Sequence, residues 1–370
     1  MEEKAKVYFT SMHTRVGDGL QNKLARLMRK AGIGSIDFSD KFTAIKIHFG
    51  ERGNLAFLRP NYARTVVDTV RSLGGKPFLT DCNTLYVGGR KNALEHLETA
   101  ALNGYTPVQA GCQILIGDGL KGTDEALVPV EGGAYIQEAK IGRAVMDADV
   151  VISMNHFKCH EMEGIGGAIK NIGMGCGSRA GKMEMHNAGK PYVETDLCIG
   201  CGQCARICAH GAAVVTDRKA SIDHGKCVGC GRCIGVCPKD AVCTPTDETE
   251  EILNKKTVEY AWAVLHGRPQ FHISLVVDVS PYCDCHGEND MPIVPNIGMF
   301  ASFDPVALDL ACAEAVLAQD ILPGSCLAGK AKRGDDYFTA LFPNCHWRTI
   351  IEHGKKMGLG TDQYDLVHVE

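Results

Sequence analysis

At 370 residues, 45% apolar and 22% charged, the chain is long enough to bury a sizeable core and too long to be a small electron carrier alone. A net charge of −5 without a long basic run argues against nucleic acid as the main partner, and no apolar stretch has the length of a membrane span. Eighteen cysteines behind a Met1-Glu2-Glu3-Lys4 start, which has no export-signal character, place the chain by expectation in a reducing, anaerobic cytoplasm.

Taken in chain order, short apolar runs alternate with amphipathic stretches. Strands are predicted over Ala5–Met12, Thr43–Phe49, Lys76–Thr80, Gln113–Ile116 and Ala148–Met154. Between them, helices are predicted over Leu20–Lys30, from Pro60 to Leu73, and over Asn92–Leu102. The same grammar resumes after residue 245, with a helix over Glu248–His266, a strand over His272–Val279 and a helix opened by Asp304-Pro305 that runs to about Ala318. A helix over Trp347–Lys356 and a strand over Tyr364–Val369 close the chain. This order predicts an α/β fold, a largely parallel sheet with helices on both faces, built from residues 1–189 and 246–370 and interrupted by an insert over 190–245.

The stretch Asn155–Gly177 follows a buried strand, and in open α/β sheets ligands bind beyond the carboxyl ends of strands. His156, Lys158, Cys159 and His160 stand at that end, and His48 and Asp81 end two other predicted strands. His titrates near neutral pH and also ligates metals, so His156 and His160 suit proton transfer, substrate binding or a metal. Gly164, Gly166 and Gly167 precede a helix carrying Lys170 and Asn171, a pattern that can cradle an anion. Cys176, Arg179, Lys182 and His186 follow within reach.

The insert carries the most specific signal. Cys198, Cys201, Cys204 and Cys208 form C-x-x-C-x-x-C-x-x-x-C, and Cys227, Cys230, Cys233 and Cys237 repeat it, with Pro238 after the last. This is the bacterial two-cluster ferredoxin run, in which the fourth cysteine of each run ligates the other cluster. One 4Fe-4S cluster is therefore assigned to Cys198, Cys201, Cys204 and Cys237, and the second to Cys227, Cys230, Cys233 and Cys208. Structural zinc uses paired C-x-x-C rather than two such triads, and a disulfide framework needs a secreted context. Gly200, Gly202, Gly229 and Gly231 let backbone N–H groups approach the sulfurs.

Cys283 and Cys285 form C-x-C, a poor disulfide but a good pair of metal ligands or a reactive thiol, with Asp284, His286 and Asp290 beside them. Together with Cys159 they are candidates for a further metal. Cys82, Cys112, Cys312, Cys326 and Cys345 are scattered and read as buried thiols.

The chain resembles the domain-of-unknown-function 362 family of iron–sulfur proteins. The resemblance rests on I-K-I-H-F-G-E (45–51), T-D-C-N-T-L-Y-x-G-x-R (80–90), H-F-K-x-H-E (156–161), G-G-A-I-K-N-I-G-M-G-C (166–176), I-V-P-x-I-G (293–298) and D-P-V-A-L-D (304–309). It implies a split domain with an inserted ferredoxin unit and a site built from His48, Asp81, His156, Lys158 and His160. Cys159 departs from it, standing where glycine is expected. A more distant similarity in layout to nickel-dependent racemase-type proteins is a fold-level analogy.

Three functions compete. The first is a redox enzyme in which two 4Fe-4S clusters feed electrons to a His/Lys/Cys-lined site holding a small-molecule substrate, a further metal or an organic cofactor. The catalytic candidates are His156, Lys158, His160, His48, Asp81 and Lys170, and the cofactor candidates are Gly166, Gly167, Asn171 and Cys176. The second is an electron-transfer subunit for a partner oxidoreductase. The third is a metal- or cofactor-assembly protein. All three imply a protein electron donor or acceptor.

Overall fold

Seven consecutive buried residues, Val150–His156, form the strand around which the fold is organised. A strand covered on both faces reads as a near-continuous apolar run, which is why the sequence shows no alternation there. The computed structural model describes residues 4–85, 88–186, 190–227, 229, 231–243 and 249–370.

Eight strands form one sheet, in the order Tyr364–His368, Ala5–Ser11, Gly298–Ser302, Gln270–Val276, Val150–His156, Phe42–Lys46, Lys76–Asp81, Ile114–Ile116. All neighbours are parallel except Gly298–Ser302, which is antiparallel to the strands on both sides. From Phe42–Lys46 the chain steps outward through Lys76–Asp81 and Ile114–Ile116. It then returns to the other side of Phe42–Lys46 with Val150–His156 and continues to Gln270–Val276. The topological switch point, where such sheets open a crevice at their carboxyl edge, lies between Phe42–Lys46 and Val150–His156.

Helices cover both faces, as expected. On one, Leu24, Leu27, Val66 and Val70 of the helices Leu20–Lys30 and Pro60–Ser72 pack with Ile45, Ile152 and Met154 of the sheet. On the other, the helices Ala168–Cys176, Glu250–Leu265, Pro305–Leu317 and Arg348–Lys356 pack Ile169, Ile172, Leu253, Val258, Val306 and Ile350 over Val151, Val276 and Phe300. Asp304 caps the third of these by accepting from Ala307 N, with Pro305 in the first turn. Strands from before residue 190 and after residue 246 lie in the same sheet.

Several boundaries shift. The strand expected over Thr43–Phe49 ends at Lys46, and the one expected to end at Met154 runs on to His156. The strand Gly298–Ser302 and two hairpins, Glu125–Pro129 with Glu138–Gly142 and Lys158–His160 with Gly164–Gly166, were not predicted. The last hairpin converts the expected glycine turn into a short strand. The helix behind it begins at Ala168, and its first N–H groups are already occupied: Ala168 N and Ile169 N donate to the two carboxylate oxygens of Asp309. A methyl group on Gly167 would collide with that carboxylate, so glycine there serves close approach within the chain.

The described residues between 190 and 243 hold a short helix, Gln203–Ile207, and the paired strands Tyr192–Val193/Val242–Cys243 and Ala213–Thr216/Lys219–Ile222, outside the eight-stranded sheet. Their core includes Cys204, Ala213, Ala220, Ile234 and Cys237, and two side chains of the α/β body, Leu85 and Met183, belong to the same cluster. Lys91 pairs with Asp240 at 2.9 Å across this junction, and Arg179 packs so tightly on Gly235 that any side chain there would overlap it. No helix among the described residues is long and apolar enough to cross a membrane.

Candidate functional site

A cavity of about 80 Å³, room for several waters or a small ligand, opens at the switch point. Phe42–Lys46 delivers Lys46 and His48 to it, Lys76–Asp81 delivers Asp81, and the hairpin after Val150–His156 delivers Lys158 and His160. The helix Ala168–Cys176 presents Lys170 and Asn171, the helix Arg179–His186 presents Lys182 and His186, and the loop after Gln270–Val276 presents Cys283 and Cys285.

Buried charges persist only when paired, and here the pairs are explicit. Lys46 lies 3.0 Å from Asp81 and donates to Asn171 Oδ1 at 3.0 Å. Arg90 pairs with Glu51 at 3.0 Å, Lys170 with Glu163 at 2.5 Å and Lys158 with Asp284 at 3.2 Å. Lys182 donates to the carbonyl of Gly177 at 2.6 Å and has no carboxylate partner among the described residues. Burial alone would raise the Asp81 carboxyl, but Lys46 and then His96 hold it well below the usual carboxylate range. Asp284 is likewise held well below that range against its burial, by His156 and Lys158. Burial works against the Lys158 ammonium, yet Asp284 and then Cys283 raise it.

The histidines differ. His48 is kept neutral by burial and then by Arg90, whose Nη1 lies 3.0 Å from its Nε2, while Gly50 N donates to its Nδ1. His160 Nδ1 accepts from Met162 N and Glu163 N at 3.2 and 3.1 Å, which fixes the ring and leaves Nε2 facing Glu161 at 3.8 Å. Burial pushes His186 down to about 4. His156 is a correction to the expected site: it does not line the cavity, and its two nitrogens are taken by Asp284 (3.0 Å) and the carbonyl of Val277 (2.7 Å). It orients Asp284 and has no free nitrogen for substrate or metal.

Two thiols are corrected as well. Cys159 packs in the apolar core with Phe157 and Cys345, and Cys176 sits in the same core with its thiol pushed up to about 11 by burial. Neither lines the cavity. Cys283 and Cys285 do, and the Sγ atoms of both lie within 4.8 Å of each other and of a ring nitrogen of His160. Hydrogen bonding to Cys285, then burial, pushes the Cys283 thiol up to about 12, and the same bond lowers Cys285. Asp290 is not at the cavity, while His286 pairs with Glu161 at 2.7 Å. Lys46, Arg90 and Glu163 escaped the sequence reading. For Lys46 a signal existed, a lysine inside the apolar run Ala44–Ile47, and its burial requires a partner.

In the cysteine-bearing layer, Cys198, Cys201, Cys204 and Cys237 line one small pocket. Among the described residues, backbone N–H groups point at these sulfurs: Ala220 to Cys198 (3.3 Å), Ala212 to Cys208 (3.3 Å), Gly229 to Cys227 (3.5 Å) and Ala241 to Cys237 (3.2 Å). The N–H groups of Ala220 and then Gly200 hold the Cys198 thiol below its usual value. These are bonds that a thiolate, the ligand form, accepts better than a thiol. Cys230 lies outside the described residues.

The family described as domain of unknown function (DUF362) matches residues 43–314. The thylakoid-associated protein sll1697 of Synechocystis sp. (strain ATCC 27184 / PCC 6803 / Kazusa) is 28% identical over 130 residues, covering 34% of this chain and 34% of that protein. The chain thus matches about a third of that curated relative. Among solved structures, a protein from Thermotoga maritima aligns at 11% identity with a TM-score of 0.43, over 80% of this chain and 58% of that one. The lactate racemase apoprotein from Thermoanaerobacterium thermosaccharolyticum aligns at 11% identity with a TM-score of 0.34, over 74% and 51%. At those scores neither likeness bears on mechanism.

Proposed function

The chain belongs to the DUF362 family, whose description names no reaction, and we propose from its own residues that it is an iron–sulfur redox protein in which two 4Fe-4S clusters serve a substrate or cofactor site in the cavity. In this reading residues 190–245 are a ferredoxin-like insert between core segments 1–189 and 246–370, and a protein electron donor docks on the insert. The observation that carries the reading is Leu85: it lines the cavity and belongs to the same apolar cluster as Cys204 and Cys237, so cysteine layer and cavity share a wall.

The residues suit the cofactor. Four cysteines from both halves of the repeat line one pocket, as crossed ligation requires, and backbone N–H groups already aim at the sulfurs. Cys198, Cys201, Cys204 and Cys237 would hold one cluster, and Cys227, Cys230, Cys233 and Cys208 the other. When bound, such clusters supply and accept electrons one at a time. Around the cavity, Lys182 and the paired lysines Lys46, Lys158 and Lys170 favour an anionic ligand, His160 and His186 line its wall, and the buried walls exclude bulk water.

The test is iron and acid-labile sulfide on anaerobically purified protein, with the EPR spectrum of the reduced form. About eight irons and eight sulfides per chain with coupled cubane signals support the reading. Cys204→Ala is expected to lower iron to about half. An iron content that ignores this substitution sinks the ligand assignment.

A further inference from the structure

We infer that His160, Cys283 and Cys285 form a site for one thiophilic divalent ion of the Zn²⁺, Ni²⁺, Co²⁺ or Fe²⁺ class at the edge of the cavity, apart from the iron–sulfur layer. The inference does not depend on the cluster reading, because none of these three residues lies in the C-x-x-C-x-x-C repeats.

The local fold brings the three donors together. An extended C-x-C puts both thiols on one face but about 6.6 Å apart along the strand. Here residues 283–285 turn, and Cys285 N donates to Cys283 Sγ at 3.4 Å. Both thiols thereby fall into one group with His160, all ligand atoms within 4.8 Å. The intervening Asp284 is pinned elsewhere: its carboxylate is held by His156 and Lys158, and its carbonyl accepts from Glu51 N at 2.9 Å. The loop is therefore anchored at its middle residue, and the thiols have little freedom to leave. His160 Nδ1 accepts from Met162 N and Glu163 N, so an ion that takes Nε2 shifts the ring proton to Nδ1 and releases those two bonds. The two thiols, held by the anchored loop before the ion arrives, lose little freedom on binding.

The donor set chooses the ion. One imidazole and two thiolates are borderline-to-soft ligands, which select these metals over Mg²⁺ and Ca²⁺. Two thiolates neutralise the ion's charge, and Lys158 and Lys170 are each paired with a carboxylate of their own. A second group, Glu161, Cys285 and His286, shares Cys285 with the first, so the Glu161–His286 pair flanks the ion. Three protein donors leave a tetrahedral ion one open position. Because all three line the cavity, that position belongs to the ligand space, whose lining also includes Lys182.

The experiment uses the full chain, purified anaerobically, incubated with excess Zn²⁺ and desalted, with zinc, iron and sulfide measured on one sample. About one zinc per chain is expected, with zinc-edge X-ray absorption showing roughly two sulfurs at about 2.3 Å and a nitrogen at about 2.0–2.1 Å. The Cys283→Ser/Cys285→Ser double variant and His160→Ala are each expected to lose at least about tenfold in zinc content, while Cys159→Ser keeps it. An unchanged far-UV circular dichroism spectrum and urea midpoint in these variants shows that they fold. Zinc that persists in the Cys283→Ser/Cys285→Ser variant, or a wild-type absorption spectrum without two sulfur neighbours, overturns the inference. About one zinc with no iron supports the site while removing the cluster reading. About eight irons with no zinc does the reverse.

Discussion

Replacing Asp284 with Asn removes the negative charge that pairs with the buried Lys158 ammonium and bonds the buried His156 ring. Asp284, His156 and Lys158 are each nearly inaccessible to solvent, and the carboxylate lies 3.0 Å from His156 Nδ1 and 3.2 Å from Lys158 Nζ. At an effective dielectric of about 20, a unit charge pair at that distance interacts by roughly 5 kcal/mol before desolvation is counted. The asparagine oxygen still accepts from His156, but its amide group has nothing to offer an ammonium. Breaking a buried pair from one side costs about 3–5 kcal/mol, and that is the destabilisation expected for Asp284→Asn. The assay is anaerobic urea unfolding followed by far-UV circular dichroism, run as a cycle with Lys158→Met and the double variant. The double variant is expected to be more stable than Asp284→Asn alone, because it leaves no unpaired buried ammonium. A loss below about 1 kcal/mol, or strictly additive effects, would refute the description of a buried, coupled triad.

Two further outcomes follow from other parts of the fold. His272 is buried, its Nδ1 has no partner, and burial pushes its pKa down to about 3. Its folded value lies below the unfolded one, so the unfolded chain binds more protons as pH falls, and stability present above about pH 6.5 is lost toward pH 3. At pH 5 that loss is about 2 kcal/mol. His272→Leu should flatten the decline of the urea midpoint between pH 7.5 and pH 5, and an unchanged slope would count against it. Gly167→Ala should cost about 1–3 kcal/mol, because the methyl displaces the Asp309 carboxylate that satisfies Ala168 N and Ile169 N. An unchanged urea midpoint would mean that this cap is dispensable.

Whatever depends on neighbours along the chain was legible in the sequence. Apolar runs and helical periodicity placed most of the sheet, and Asp304-Pro305 marked a helix start that the structure shows capped at Ala307. The cysteine spacing proposes a chemistry, because cluster ligation is itself a local loop pattern. The carboxyl ends of strands pointed to His48, Asp81, Lys158 and His160, which the fold does bring to one cavity. Pairings across long separations were decided only by tertiary structure. Nothing near Gly298–Ser302 announces that it runs against its neighbours. Nothing near Lys46 names Asn171 as its partner, and nothing near His156 shows that Asp284, 128 positions away, will occupy its ring nitrogen. Cys159 and Cys283 look alike as free thiols in the sequence, yet one is core and the other faces the cavity. A side chain's neighbours in space set its charge, its free lone pairs and its access to a ligand. In a crossover α/β fold, those neighbours come from strands and loops that the local pattern does not connect.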